Sequence, residues 1–415
     1  MVQHSNRDKV RPWIVLAAAT GINISMGLNY SWSVIQKALV TDWHWTSLQA
    51  SLPYAAYAVT LTVAMLFSGR LQNRLGARRS IYVGAAFMGA GLISCSFSHH
   101  PLLTTVIYSI AGIGAGVCYS TTLPTVIRWF PAEKRGFVAG IVVSGSGLAP
   151  IYVSSVANWL LSHYGISQTF LSLGFGVSAL LILMSQFFDN PPHGYRPAAP
   201  AGSNSGSLSA ADSAPTDVSW REMIETPLFC KLWAMYLFVS SAGLMIIGHI
   251  ATIAKTQTHW ENGFYLVLLI ALFNTGGRLA AGFFADRYGT MAIMKGVFLL
   301  LTIDLLSFAT YTTPLLLAVG AAVLGFCYGT CPALFPVVTA DFFGTKNLGS
   351  NYGVLFTAWG SAALLGPVLA GSVVDLTGTY SIAYALSALF LFAALVLAMT
   401  IKPKPIEEAF SYDEE

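Results

Sequence analysis

The stretch Phe273-Asn274-Thr275-Gly276-Gly277-Arg278-Leu279-Ala280-Ala281-Gly282-Phe283-Phe284-Ala285-Asp286-Arg287-Tyr288-Gly289 closes an apolar run that begins near Phe264. Arg278 is the one Lys or Arg that cannot be placed at either edge of an apolar run. A cation at membrane depth costs at least about 2.5–3.5 kcal/mol on insertion scales, so its retention needs a reason. Two reasons fit: an anionic ligand, or a buried carboxylate partner in a structural ion pair. Asn274 stands four residues earlier, on the same face of a helix. Gly276 and Gly277 thin the helix beside them and let a neighbour or a ligand come close. The segment Gly282-x-x-x-Asp286-Arg287-x-Gly289 is polar, charged and turn-forming, so the helix is expected to leave the bilayer there.

The 415 residues are 55% hydrophobic and only 9% charged, far too apolar for a soluble protein of this length. Roughly 20 apolar residues span a bilayer. Twelve runs qualify, at about 13–36, 49–69, 80–98, 102–127, 138–162, 168–188, 229–254, 263–284, 291–310, 313–340, 350–374 and 381–401. The first is too long for a cleavable signal, and no small-residue cleavage site closes it. With the N-terminus inside, 18 of the 21 Lys and Arg fall on cytoplasmic segments; only Lys37, Lys255 and Arg278 do not. This bias predicts cytoplasmic termini. The net charge of +3 then follows from topology and gives no reason to expect nucleic-acid binding. The five cysteines (95, 118, 230, 327 and 331) lie in or beside apolar runs with no metal-ligand spacing, which predicts neither a metal site nor a disulfide framework.

Gly69, Arg74 and Gly76 recur as Gly282, Arg287 and Gly289 at a constant offset of 213 residues. The same offset relates Gly140 to Gly353, Gly147 to Gly360 and Phe130 to Phe343. The chain is therefore a tandem repeat of two halves in parallel orientation. The expected fold is an all-α membrane protein of twelve transmembrane helices in two pseudo-symmetric six-helix bundles, residues 1–188 and 228–415. Between them, residues 189–227 form a Pro-, Ala- and Ser-rich cytoplasmic linker. It ends at Ser219-Trp220-Arg221-Glu222, a capping-box spacing that predicts a short interfacial helix. Two halves related by an axis along the membrane normal mark a rocker-type secondary transporter. Gly69, Arg74, Gly76, Gly282, Asp286, Arg287 and Gly289 form its conformational motif, with Gly69 and Gly282 expected to allow sharp turns.

Other polar groups inside the apolar runs are candidates for the site. The first run carries Gly27-Leu28-Asn29-Tyr30-Ser31-Trp32-Ser33, a cluster that would be wasted facing lipid; helix–helix hydrogen bonding is the alternative use. Tyr119 and Tyr328 sit near mid-run, where a phenol can donate to a carboxylate or simply belong to the core. His249 and Asp304 are candidate proton carriers, although a neutral, satisfied histidine is an equal reading of the first. Pro124, Pro150, Pro332, Pro336 and Pro367 read as kinks.

The paired loop segments resemble the loop motif of the major facilitator superfamily, with Asn73 standing where the first copy usually has Asp. The whole chain resembles the branch that joins monocarboxylate transporters to oxalate–formate antiporters. Gly27-Leu28-Asn29-Tyr30-Ser31-Trp32 and Thr226-Pro227-Leu228-Phe229 are similar to signatures of the antiporter side. Arg278, with a polar residue four positions before it, resembles the eighth-helix Arg of the monocarboxylate side. Within the branch, the chain resembles bacterial proton-coupled lactate transporters. Three positions depart from the relatives. Asn274 stands where animal monocarboxylate carriers have Asp, Val34 near their first-helix Lys, and Trp359 where oxalate carriers have an eleventh-helix Lys.

Resemblance and residues together imply a proton-coupled carrier of lactate or pyruvate type in a bacterial inner membrane, monomeric and without cofactor. Organic-anion antiport of the oxalate–formate type is the rival. The substrate would lie against Arg278, Asn274, Tyr119, Tyr328, Tyr30, Leu28, Asn29 and Trp359. An enzyme would need a nucleophile, a metal cluster or an acid–base pair at the site, and the sequence presents none.

Overall fold

The computed structural model describes residues 6–27, 32–147, 149–192, 195 and 217–401. Among these there are helices and short 3₁₀ turns and no strand. The first half contains α1 (Asn6–Met26), α2 (Trp32–Asp42), α3 (Ser47–Leu75), α4 (Ala77–Cys95), α5 (Pro101–Trp129), α6 (Arg135–Gly147) and α7 (Ala149–Ser185). Then come α8 (Trp220–Ile224), α9 (Pro227–Ile247), α10 (Ile250–Thr258), α11 (Phe264–Tyr288), α12 (Thr290–Ser307), α13 (Pro314–Phe343), α14 (Leu348–Thr377) and α15 (Ser381–Met399). Nine helical stretches among the described residues are long and apolar enough to cross a membrane. Of the remaining runs, the third forms α4 and the first begins as α1. The seventh run is split at His249 into α9 and α10, and α7 joins two helices across Gly165, whose φ of 74° no L-residue adopts readily.

Local chemistry explains the element ends. Thr46 caps α3 in a reciprocal capping box with Gln49, and Pro101, Pro227 and Pro314 open their helices at the first turn, where a missing N–H costs nothing. The capping box at Ser219 is also present, and α8 follows it. The Ser219 backbone N–H donates to Glu222 at 2.7 Å, and this bond holds the Glu222 carboxyl below its ordinary value.

Helices α3, α4, α5 and α7 pack on one another in the first half, and α9, α11, α12, α13, α14 and α15 in the second. The halves meet through two long helix pairs, α6 against α11 and α3 against α14. Glycine sets both approaches. A methyl group at Gly140 or Gly147 would strike Arg278 or Thr275, and one at Gly353 or Gly360 would strike Met65 or Thr62. Close backbone approach through small residues is how helices gain packing energy where lipid supplies no hydrophobic contrast. The contacts continue to the end that carries the loops after α3 and α11, where Gly69 faces Ser350 and Gly282 faces Gly136. At the far end α2 packs on α7 and α3, and α10 on α11 and α13, each within its own bundle.

Candidate functional site

Arg278 lies ten residues before the loop end of α11, about 15 Å along the axis, near the middle of a hydrocarbon core about 30 Å thick. Its side chain is buried, with 3% of its surface exposed. Nε donates to Asn274 Oδ1 at 2.9 Å, and Nη1 donates to Ser146 Oγ at 2.8 Å and to the Val143 carbonyl oxygen. Arg278 and Asn274 share one face of α11, and Gly140 and Gly147 bring α6 near enough to be reached. Val143 and Ser146 lie one turn apart on the face of α6 that meets α11. All three acceptors are neutral. Among the described residues no carboxylate forms an ion pair with Arg278, and Nη2 has no hydrogen-bond partner. A buried, positioned and uncompensated guanidinium can receive an anion.

Beside this cation α11 packs closely on α13: a methyl at Gly329 would meet the Asn274 backbone. Tyr328, the neighbouring residue, is buried and accepts a hydrogen bond from Trp359 Nε1 at 3.1 Å. Trp359 stacks on Phe356 with ring centroids 5.0 Å apart, and Phe356 meets Tyr119 of the first half at 5.6 Å. Tyr119, Tyr328 and Trp359 thus belong to one aromatic chain that crosses between the bundles. Leu28, Asn29 and Tyr30 lie outside the described residues.

His249 and Asp304 are not brought to Arg278. His249 caps α10 at the far end, and its Nδ1 is 3.3 Å from the Tyr380 hydroxyl. Asp304 is buried one turn from the far end of α12, where Tyr311 donates to its Oδ1 at 2.9 Å and Oδ2 has no partner among the described residues. Counted along the helices from the loop end, His249 lies about 18 Å and Asp304 about 6 Å beyond the level of Arg278, roughly three turns and one turn.

The loop motifs differ from expectation in where the chain turns. Helix α11 does not stop at Gly282 but continues to Tyr288. The turns fall at Gly76 and Gly289, with φ of 82° and 88°. Gly69 and Gly282 lie inside helices, and their small size serves the approach of the opposite bundle. Asp286 reaches across to α6 and accepts from the backbone N–H groups of Gly136 at 2.7 Å and Phe137 at 2.8 Å, a carboxylate on a helix N-terminus. Arg135 pairs with Asp341 at 3.8 Å beside it. Arg287 lies over the Tyr288 ring at 5.5 Å, and Arg74 is exposed. At the end of α5 Arg128 donates to the carbonyl oxygens of Thr345 at 3.2 Å and Lys346 at 2.8 Å.

The family model of the Major Facilitator Superfamily matches residues 16–314 and 296–414. The chain belongs to that superfamily. An oxalate:formate antiporter of Oxalobacter formigenes is 26% identical over 400 residues, covering 94% of this chain and 91% of that one. Monocarboxylate transporter 12-B of Danio rerio is 25% identical over 358 residues, covering 79% and 74%. The structure of the proton:xylose symporter XylE superposes with a TM-score of 0.75 at 12% identity over 95% of this chain and 97% of that one, a likeness of fold.

As a major facilitator superfamily transporter, this chain is an integral membrane protein whose bundles are joined at the loop end. Two residues at the joint and one inside the first half escaped the sequence reading. Val143 contributes only a carbonyl, which no side-chain pattern can reveal. Ser146 is one small residue in a Ser/Gly run. Asn23 offered a signal, a lone amide in the first apolar run. It is 1% exposed, its Nδ2 donates to Thr122 Oγ1 at 3.1 Å, and its Oδ1 has no partner among the described residues.

Proposed function

We propose that this transporter carries small monocarboxylates of lactate or pyruvate type together with a proton, by alternating access between the two bundles. The carrying observation is the Arg278 guanidinium, buried near mid-helix and held by three neutral acceptors with no acid beside it among the described residues. A monoanion neutralises one cation. A dianion would bring a second negative charge into the site, and an uncompensated buried charge costs several kcal/mol even after relaxation. In this reading Arg278 binds the carboxylate and Asn274 holds the guanidinium plane by its Nε without spending its charge. Tyr119, Tyr328 and Trp359 wall the site, and Leu28, Asn29 and Tyr30 are the further substrate contacts expected from the sequence. The proton travels on His249, on Asp304 or on the acid itself. The transporter works as a monomer in a bacterial inner membrane, with both termini and the basic loops cytoplasmic, so the joined end is the cytoplasmic one. The superfamily membership and the absence of a catalytic constellation in the sequence favour transport over catalysis.

Organic-anion exchange is the second reading, favoured by the 26% identity to an oxalate:formate antiporter over 94% of the chain. The deciding experiment is uptake of labelled lactate, pyruvate, formate and oxalate into proteoliposomes, with and without an inward proton gradient. The monocarboxylate reading expects gradient-driven accumulation of lactate or pyruvate, collapsed by a protonophore, and weak competition by oxalate. Strong oxalate competition with gradient-independent counterflow establishes exchange instead.

A further inference from the structure

A cavity of about 660 Å³ in the first half lies outside the interface between the bundles. It lies between α3, α4 and α5 and is lined by apolar side chains such as Val63, Phe67, Val83 and Phe87. Val63, Phe67 and Phe87 are 46%, 59% and 40% exposed, so the cavity opens on the outer face, where a membrane protein meets lipid tails. Along α3 it runs from Thr60 to Arg74, fourteen residues or about 21 Å, which matches one leaflet's share of the hydrocarbon core plus the headgroup region. The loop-end mouth is formed by Arg70 and Arg74. These two stand four residues apart on one helix face, where like charges repel, and both are exposed. Neither forms an ion pair among the described residues. Arg70 lies over the Trp220 ring of α8 at 5.7 Å, at the level where tryptophan marks a membrane interface.

We propose that this groove binds an anionic phospholipid, one acyl chain lying along Val63, Phe67 and Phe87 and the phosphate bridging Arg70 and Arg74. An anion between the two guanidinium groups removes their mutual repulsion, and the apolar trough accepts the chain of the same molecule. Basic pockets between transmembrane helices take anionic headgroups by this chemistry. The internal repeat supplies a control. The counterpart of Arg74 is Arg287, but that of Arg70 is Phe283, so the second half lacks the double cation. A second copy seated on this groove across a two-fold axis would set four arginines together, which disfavours it.

The test is native mass spectrometry of the full chain, titrated with phosphatidylglycerol and with phosphatidylethanolamine of the same acyl chains. Wild type is expected to bind phosphatidylglycerol the more tightly. The double variant R70Q/R74Q should lose about fivefold per arginine, roughly thirtyfold in all, for phosphatidylglycerol and nothing for phosphatidylethanolamine. Arg287→Gln should leave both affinities unchanged. Val63→Phe, which fills the trough without touching charge, should weaken both lipids. Equal affinity of the two lipids for wild type, or unchanged phosphatidylglycerol affinity in the folded double variant, overturns the proposal. So does a dimer that Val63→Phe dissociates, because the groove would then be a protein interface.

Discussion

The two interfaces between the bundles share a backbone frame and differ in what fills it. In one, Gly140 and Gly147 of α6 face Arg278 and Thr275 of α11; in the other, Gly353 and Gly360 of α14 face Met65 and Thr62 of α3. Each partner in the first pair has its counterpart in the second 213 residues away. The side chains diverge. Arg278 corresponds to Met65, Asn274 to Leu61, Asp286 to Asn73, Ser146 to Trp359 and Val143 to Phe356. One interface holds a cation, its polar cradle and a carboxylate latch; the other is mainly apolar and aromatic at the depth of Arg278, with Arg128 bonded to the Thr345 and Lys346 carbonyls at its loop end. The repeat sets how closely helices approach, and specificity resides where the repeat is broken.

The comparison breaks most sharply at its centre. Arg278→Ala should remove substrate binding while Met65→Ala leaves it near normal. At an effective dielectric of about 20 and a separation of about 4 Å, a guanidinium–carboxylate contact is worth about 4 kcal/mol, roughly three decades in affinity before desolvation. Equilibrium binding of labelled lactate to the purified variants measures both; near-normal binding by Arg278→Ala would end the single-cation model.

Asn274→Asp tests whether neutrality beside the cation matters. An ionised carboxylate at this position spends the charge of Arg278 internally and repels a bound monoanion. At about 6 Å and a dielectric of about 20 that repulsion is about 3 kcal/mol, roughly two decades. Protonation of the introduced carboxylate would remove it, so affinity should be weakest at high pH and recover as pH falls. A pH series that is flat in the variant contradicts this.

Trp359→Lys sharpens the contrast from the other side. Trp359 stands at the counterpart of Ser146, and an ammonium there would give the second interface a cation of its own. Oxalate should gain on lactate by about tenfold, equivalent to about 1.4 kcal/mol, in a competition assay. An unchanged ratio would mean that position 359 does not face the substrate.

Gly69→Val and Gly282→Val crowd the two interfaces in the same way, since each new side chain meets the backbone of Ser350 or Gly136. Overpacking costs typically about 1–3 kcal/mol, and here it falls on the joined form alone. Both variants should slow turnover with binding largely kept. Cysteines placed at the loop end should label faster. An equal fall in binding would indicate misfolding.

The smallest effect concerns the latch. Asp286→Asn gives up charge-assisted bonds to two amides, about 1–2 kcal/mol, and should raise loop-end labelling several-fold. Asn73→Asp offers the second interface the same device against the N-terminus of α14 and should lower labelling. If the two substitutions act in the same direction, the latches are not equivalent devices.

Much of this was legible in the chain before it folded. Twelve apolar runs, the 213-residue offset and the positive loops follow from hydrophobic length and spacing, which are properties of single helices and need no knowledge of their neighbours. The oddity of Arg278 was legible for the same reason, because a cation inside an apolar run is costly wherever the run packs. Its pairing with Asn274 is also local, a matter of helical pitch. What the tertiary structure decided is what lies opposite. The Val143 carbonyl and Ser146 reach Arg278 from a helix more than 130 positions away, and a carbonyl carries no sequence signature. Packing also separated His249 and Asp304 from the cation and aimed Asp286 at the amides of α6. It moved the role of Gly69 and Gly282 from turning to close approach. A sequence displays the cost of a buried group, since that depends on the group and its depth. The compensation depends on which helix faces it, and only the packed bundles fix that.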